Sequence, residues 1–407
     1  MSIGEHLHDL APEPSIPHAR LLTQTQSHRT ALETLPAFIL ALAATCMTLG
    51  ILWDISWHIS IGRDTFWTPA HMAIYFGGSL GGFAAGWLAL YYTFLARPEE
   101  REASVGIFGA RAPLGAWVVM WGAVAMLTSA PFDNWWHNAY GLDVKIISLP
   151  HTLLGLGMLG IVLGALILGL SRQNRAPDHS GDAVFIYISG IFVTLGSVFV
   201  MEMTTPNLQH AAVFYKAVAA AFAFRIVAIG VAGRMSWPAT RASAVFLLFQ
   251  CLVTWILPLF PAQPKLAPIN NPITHMVPPA FPVLIIFPAL AVDLILRRTG
   301  EGHGWKQRLA LAVALGAAFF AVLLGVQWFL SEFLLSPHAN NWFFAGGRYF
   351  GYAFRHGPWS TRFWHDGNDP YMQDPINAKA ALTVLAIASV GSWIGLYWGS
   401  WMKKVRR

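Results

Sequence analysis

The feature that most constrains this chain is a succession of long apolar runs. Spanning a bilayer takes about 20 apolar residues in a helix. Ten segments of that kind recur, at about 35–57, 68–96, 113–136, 149–171, 183–203, 211–232, 242–260, 278–296, 309–331 and 380–402. In lipid a backbone must satisfy its polar groups within the segment, so such runs fold as helices. The expected fold is therefore all-α, a polytopic transmembrane bundle of about ten helices whose main partner is the lipid bilayer. Only 11% of residues are charged, against about 25% in soluble domains. The expected organisation is a polar tail at 1–34, a four-helix region at 35–172, further helices at 173–335, a long loop at 336–379, and a last helix with a basic tail at 380–407. The tail lacks a basic segment directly ahead of a short apolar stretch, so it does not read as a signal peptide.

The net charge of +6 comes from basic residues placed between apolar runs and at the C-terminus. That placement is a topology signal and not a nucleic-acid surface. With both termini cytoplasmic, the inner side holds seventeen Lys and Arg and the outer side seven. The expectation is an integral protein of a plasma membrane, bacterial in character, with cytoplasmic termini. This orientation puts nine of the fifteen His at outer helix ends or outer loops. Cys46 and Cys251 both lie inside apolar runs, which argues against a disulfide framework or a thiolate metal cluster.

A repeat emerges among those outer residues. Setting Asp54 on Asp133 aligns Trp57 with Trp136, His58 with His137, Gly62 with Gly141 and Asp64 with Asp143. A further His follows at +17 in one copy (His71) and +18 in the other (His151). The copies stand about 80 residues apart, the length of two transmembrane helices, so the pattern reads as a duplicated helical hairpin in the N-terminal half. Asp and His at i, i+4 share one helix face. A short connection then returns the chain, which brings the second His to the start of the next helix. Each hairpin thus converges a carboxylate and two imidazoles, a set suited to Cu, Fe(II) or Zn with positions left open. Ionisable groups at membrane depth are costly and mark function. Arg63, Asp64 and Asp143 are expected behind the ligands, orienting them by hydrogen bonds.

Other candidates are less organised. Glu202, within Met201-Glu202-Met203, and His210 could add ligands or a proton relay, or simply cap a helix end. Lys216 and Arg225 fall within a span, where a partner such as Glu202 or a polar cavity is expected. The loop at 336–379 is rich in aromatics, which argues for order, and carries His356 and His365. It reads as a lid over the outer face.

The segment Gly62-Arg63-Asp64-Thr65-Phe66-Trp67-Thr68-Pro69-Ala70-His71 resembles the Arg-Asp-Thr-x-Phe-Thr-Pro-x-His stretch of the C subunit of copper membrane monooxygenases, the particulate methane and ammonia monooxygenases. The resemblance covers about residues 50–160. It implies copper at Asp54, His58 and His71, which match the family's ligand spacing. It implies a second copper site at His137 and His151, where Asp133 stands in place of the family's Asn. That extra charge would let iron or zinc replace copper. The family subunit is shorter, so residues beyond about 180 have no counterpart in it.

Two functions follow as expectations. One is a copper-dependent membrane monooxygenase, or a subunit of one, oxidising a small apolar substrate with O2. It would draw electrons from an external donor such as quinol and would work with partner membrane subunits or as a homo-oligomer. The other is non-catalytic: copper binding, storage or assembly, or a structural role in a larger membrane complex. No phosphate loop, dinucleotide fingerprint or nucleophile triad occurs.

Overall fold

The computed structural model describes residues 16–62, 64–102, 104–141, 148–265, 273–301, 304–346 and 374–407, with side chains in the first helix described from Leu35 onward. Eleven α-helices occur among the described residues: α1 Ile16–Ser60, α2 Pro69–Leu90, α3 Pro98–Arg101, α4 Leu114–Tyr140, α5 Leu149–Arg175, α6 Asp182–Val198, α7 Ala212–Ala232, α8 Pro238–Ile256, α9 Ile286–Thr299, α10 Trp305–Leu334 and α11 Ala378–Met402. A two-stranded hairpin, β1 Val105–Ile107 with β2 Ala110–Ala112, is the sole sheet among them. The chain is an all-α integral membrane bundle, with eight helices long and apolar enough to cross a bilayer.

Two expected segments depart from that length. The run at 183–203 forms the shorter α6, which gives way at Val198 to short 3-10 turns opening the connection to α7. The run at 278–296 becomes helical only at Ile286. Pro278, Pro279 and Pro282 lack the N–H that a helix needs, so the chain approaching α9 stays extended. At the N-terminus, α1 begins at Ile16, so part of the expected polar tail continues the first helix.

The N-terminal half is two antiparallel hairpins side by side. α1 packs on α2, α4 packs on α5, and α2 lies between α1 and α4. Small residues let these backbones approach, as in other membrane bundles. A Cβ at Gly77 would lie 2.6 Å from Ala43 O and 2.9 Å from Met47 N. A Cβ at Gly157 would lie 2.8 Å from Gly122 O and 2.9 Å from Met126 N. These are equivalent positions in the two copies: each Gly stands six residues after the second His, each Met seven before the Asp. The duplication therefore extends down the helices.

The C-terminal half forms a second apolar core around α7, with α10 and α11 against it. Part of it reaches back to the first hairpin. Residues 273–284 run as an extended strap across the end of α1. There Ser56 Oγ donates to Val277 O at 2.6 Å, and Val277 N–H donates to Ser60 Oγ at 2.7 Å. Lys265 N–H donates to Ile61 O at 2.9 Å. Leu52, Ile61, Val253, Leu257, Met276 and Val277 close an apolar cluster beneath the strap.

Candidate metal centres

Both repeat copies are built by the same local rules. α1 and α4 stop just before Gly62 and Gly141, whose φ values are +82° and +87°. Positive φ is cheap only for glycine and ends a helix in a defined direction. The return helix is started by a hydroxyl residue and a proline. Thr68 precedes Pro69 in α2; Ser148, whose Oγ accepts from His151 N–H, precedes Pro150 in α5. Counted from these caps, His71 and His151 each occupy the third helical position. The one-residue difference between +17 and +18 is thus absorbed in the connection, and both imidazoles arrive in the same place.

In the first set, His71 Nε2 lies 3.1 Å from Asp54 Oδ1 and 3.2 Å from Asp64 Oδ2. His58 Nε2 lies 3.8 Å from Asp54 Oδ2 and 3.5 Å from Asp64 Oδ2. The His58 side chain is 47% exposed and that of His71 only 14%, so His71 sits at the centre and His58 at the mouth. In the second set, Asp133 Oδ2 lies 3.3 Å from His137 Nε2, and its Oδ1 lies 3.5 Å from His151 Nε2. Asp54, Asp64 and His71 converge closely enough to hold one ion, as do Asp133, His137 and His151.

The alignment of these atoms tests the fit to a metal. Asp54 Oδ1 and Asp133 Oδ1 are buried yet find no hydrogen-bond partner among the described residues, although an imidazole nitrogen is near each. The groups approach without pointing at one another. Buried polar atoms are ordinarily satisfied, and leaving one unpaired costs about 1–3 kcal/mol. Atoms bonded at about 2.1 Å to a common centre stand roughly 3.0–3.4 Å apart, directed at the centre and not at each other. Separations of 3.1–3.5 Å across the inner pairs match that arrangement. The donor set, imidazole nitrogen with carboxylate oxygen, suits divalent copper, iron or zinc. His71 Nδ1 and His137 Nδ1 are also buried without a partner among the described residues. These two rings are therefore oriented by packing.

Asp64 is drawn into the first set. Its Oδ2 faces both imidazoles, and the closeness of His58 and then His71 holds its carboxyl well below the usual carboxylate range. Its counterpart Asp143 lies outside the described residues, as do Arg63, His356 and His365 and most of the expected lid. Among the described residues the first set offers four groups and the second three.

Sequence reasoning missed Tyr75. It stands one turn after His71, with ring centroids 6.0 Å apart, and packs on Phe66 at 5.1 Å. α2 packs on both α1 and α4, which brings this phenol near Asp54, Asp64 and Asp133. The available signal was the i, i+4 spacing from His71.

The remaining candidates have other roles. Glu202 and His210 belong to neither set. His210 is buried and stacks on Trp328 at 3.6 Å, and its Nε2 lies 3.1 Å from Trp328 O. Burial makes it less basic than an ordinary imidazole. Lys216 pairs with Asp374 at 2.8 Å and not with Glu202. Arg225 lies over the rings of Phe192 and Phe224, 4.7 and 4.5 Å from their centroids. Aromatic faces accommodate that guanidinium inside the bundle.

Comparison with protein-family models, with curated proteins and with solved structures finds no match to this chain.

Proposed function

We propose that the two sets are transition-metal sites, copper in the first instance, and that the chain is a membrane monooxygenase or the metal-bearing subunit of one. The observation that supports this most directly is the pair of buried, unpaired carboxylate oxygens, Asp54 Oδ1 and Asp133 Oδ1, each facing an imidazole it does not hydrogen-bond. The proposed orientation has both termini cytoplasmic and both sets toward the outer face, in keeping with the excess of Lys and Arg at the other helix ends.

A bound metal would supply O2 binding and electron transfer. Monooxygenation places one oxygen atom into a substrate C–H bond and reduces the other to water, with two electrons and two protons from an external donor such as a quinol. Asp54 and Asp133 supply anionic oxygen, and the paired imidazoles supply nitrogen. His58, at the exposed mouth, stands where an incoming molecule passes first. Phe66 packs on Tyr75 near the first set and Trp136 on Tyr140 near the second; such aromatic surroundings favour a small apolar substrate arriving through the bilayer. Tyr75 stands where it can hold or pass a proton beside both sets. Partner subunits and the electron donor lie outside this chain.

The test is metal analysis and EPR of the protein purified from native membranes, with O2 consumption followed in the presence of a quinol. Two equivalents are expected, with His58→Ala and His137→Ala each removing about one. Loss of both by a single substitution would mean one shared centre. Absence of Cu, Fe and Zn would overturn the proposal. Metal retained without O2 consumption would favour storage or a structural role.

A further inference from the structure

The connection from α2 to α4 joins the two repeat hairpins at the helix ends remote from His71 and Asp133. α2 continues through a wider π-helical turn, Tyr91–Leu95, to the short α3. The β1–β2 hairpin follows, and α4 begins directly after it. Val105 pairs with Ala112, Gly106 with Arg111 and Ile107 with Ala110. Phe108 and Gly109 are left as a two-residue turn. Both have positive φ, +50° at Phe108 and +80° at Gly109. Such a turn matches the twist of paired strands and is ordinarily made by Asn-Gly or Asp-Gly. A bulky aromatic at positive φ is an outlier, and backbone outliers persist where something other than local comfort selects them. Packing within the chain does not select this one. Phe108 is 93% exposed, more than any other large hydrophobic residue among those described.

The strands beneath this tip are fastened to both helices. Trp117, in the first turn of α4, donates its indole N–H to Val105 O at 3.0 Å. Arg111 N–H donates to Thr93 Oγ1 at 2.8 Å, which ties β2 to the π-helical turn that ends α2. Arg101 Nη2 donates to Thr93 O at 3.0 Å, and Arg111 Nη1 to Ser104 Oγ at 3.3 Å. The turn is thus held out at the level where one spanning helix ends and the next begins.

Its neighbours indicate what covers it. The segments Pro69–Leu95 and Leu114–Tyr140 are both long and apolar enough to span, so their exposed side chains face lipid. Leu90, Phe94 and Leu95 are exposed at the end of α2, and Trp121 in the second turn of α4. Thr93, which holds β2, precedes Phe94 in the chain. The apolar tip therefore continues a lipid-facing surface, at the level where Trp117, Arg97, Arg101 and Arg111 gather as aromatic and basic residues do at headgroups. The water-seeking part of the connection is α3, where Arg97 pairs with Glu100 at 2.8 Å and Glu99 is exposed. We propose that the Phe108 turn is a membrane foot, inserted at the boundary between headgroups and acyl chains, with the lipid bilayer itself as its partner. It would anchor the link between the two repeat hairpins at the face opposite the metal sets.

Cys46 and Cys251 are the chain's two cysteines, so Cys46→Ala/Cys251→Ala provides a background for single spin labels. Phe108→Cys, Phe94→Cys and Glu102→Cys would each be labelled in the full-length protein reconstituted in phosphatidylcholine–phosphatidylglycerol vesicles. EPR would compare collisions with O2, which concentrates among acyl chains, and with a water-soluble nickel chelate. The label at position 108 is expected to favour O2, as at 94, and to lie about 5–10 Å below the headgroup surface. The label at 102 is expected to favour nickel. Nickel access at 108 equal to that at 102 would put the turn in water and overturn the proposal. A label at 108 closed to both reagents would mean that protein covers the tip, which overturns it equally. Nickel access at 94 would overturn it together with the spanning assignment of α2. Photolabelling of the unaltered protein from a diazirine near the lipid headgroup needs no substitution and should mark residues 105–112. A marked Phe94 segment beside an unmarked 105–112 would also refute the foot. None of these readings depends on metal at the opposite end.

Discussion

If the two sets hold metal as proposed, Gly77→Ala and Gly157→Ala should each damage one set and spare the other. An added Cβ at Gly77 meets Ala43 O at 2.6 Å, and one at Gly157 meets Met126 Cγ at 2.6 Å and Gly122 O at 2.8 Å. Ordinary contact needs about 3.4 Å, so each helix pair must part by roughly half an ångström or more. Overpacking of this kind costs about 1–3 kcal/mol. The displaced residue is six positions from the second His of its set, and metal sites tolerate only about 0.2 Å in ligand distance. Tenfold or more weakening of one site is expected, with the other unchanged. Gly86→Ala, where an added Cβ meets nothing within 4 Å, is the control. The assay is equilibrium metal titration against a competing chelator, with thermal stability measured on the same samples. If Gly77→Ala and Gly157→Ala both leave metal affinity at the level of Gly86→Ala, helix approach does not set the ligand geometry and the reasoning fails.

Further expectations follow from particular contacts. His71→Ala should cost the first set more metal affinity than His58→Ala, because His71 faces both carboxylates at 3.1 and 3.2 Å; parallel titrations decide it. Tyr75→Phe should keep both metal equivalents yet alter the EPR spectra of both sets, whereas Tyr140→Phe should leave the first set's spectrum as it was. Ser60→Ala leaves the buried Val277 N–H without its acceptor, which costs about 1–3 kcal/mol and should lower the melting temperature of metal-free protein. Because the Asp64 carboxyl titrates below its unfolded value, its stabilising contribution is complete above about pH 4 and fades as pH falls through the lower folded value. Asp64→Asn should therefore make the acid loss of stability shallower in a pH series on metal-free protein.

Much of the site was legible in the sequence because the repeat carried its own geometry. Asp54 with His58, and Asp133 with His137, needed only the helical period. Gly62 and Gly141 align because both must adopt positive φ at a helix end. What hydropathy could not reveal is a missing N–H. The run at 278–296 is apolar enough for a span, but Pro278, Pro279 and Pro282 turn its first third into a strap. Their presence was the signal. An acidic partner for Lys216 was expected, but which one was not legible, because Asp374 stands 158 residues away and no local rule spans that distance. The inner glycines, Gly77 and Gly157, escaped notice because a search led by chemistry stops at residues that can bind something.

The strap also fixes an order of events. Ser56 and Ser60 leave the ribosome more than 200 residues ahead of Val277, which closes their hydrogen bonds. At its histidine-bearing end the second hairpin shows no such late arrival among its described bonds: Ser148 caps α5 from within the same unit. A chain interrupted after α5 would carry every described candidate ligand yet leave α1 unfastened at its Asp54–His58 end. The earlier-made half of the pair is thus the later to mature, and full assembly of the first set reports that the C-terminal half has docked.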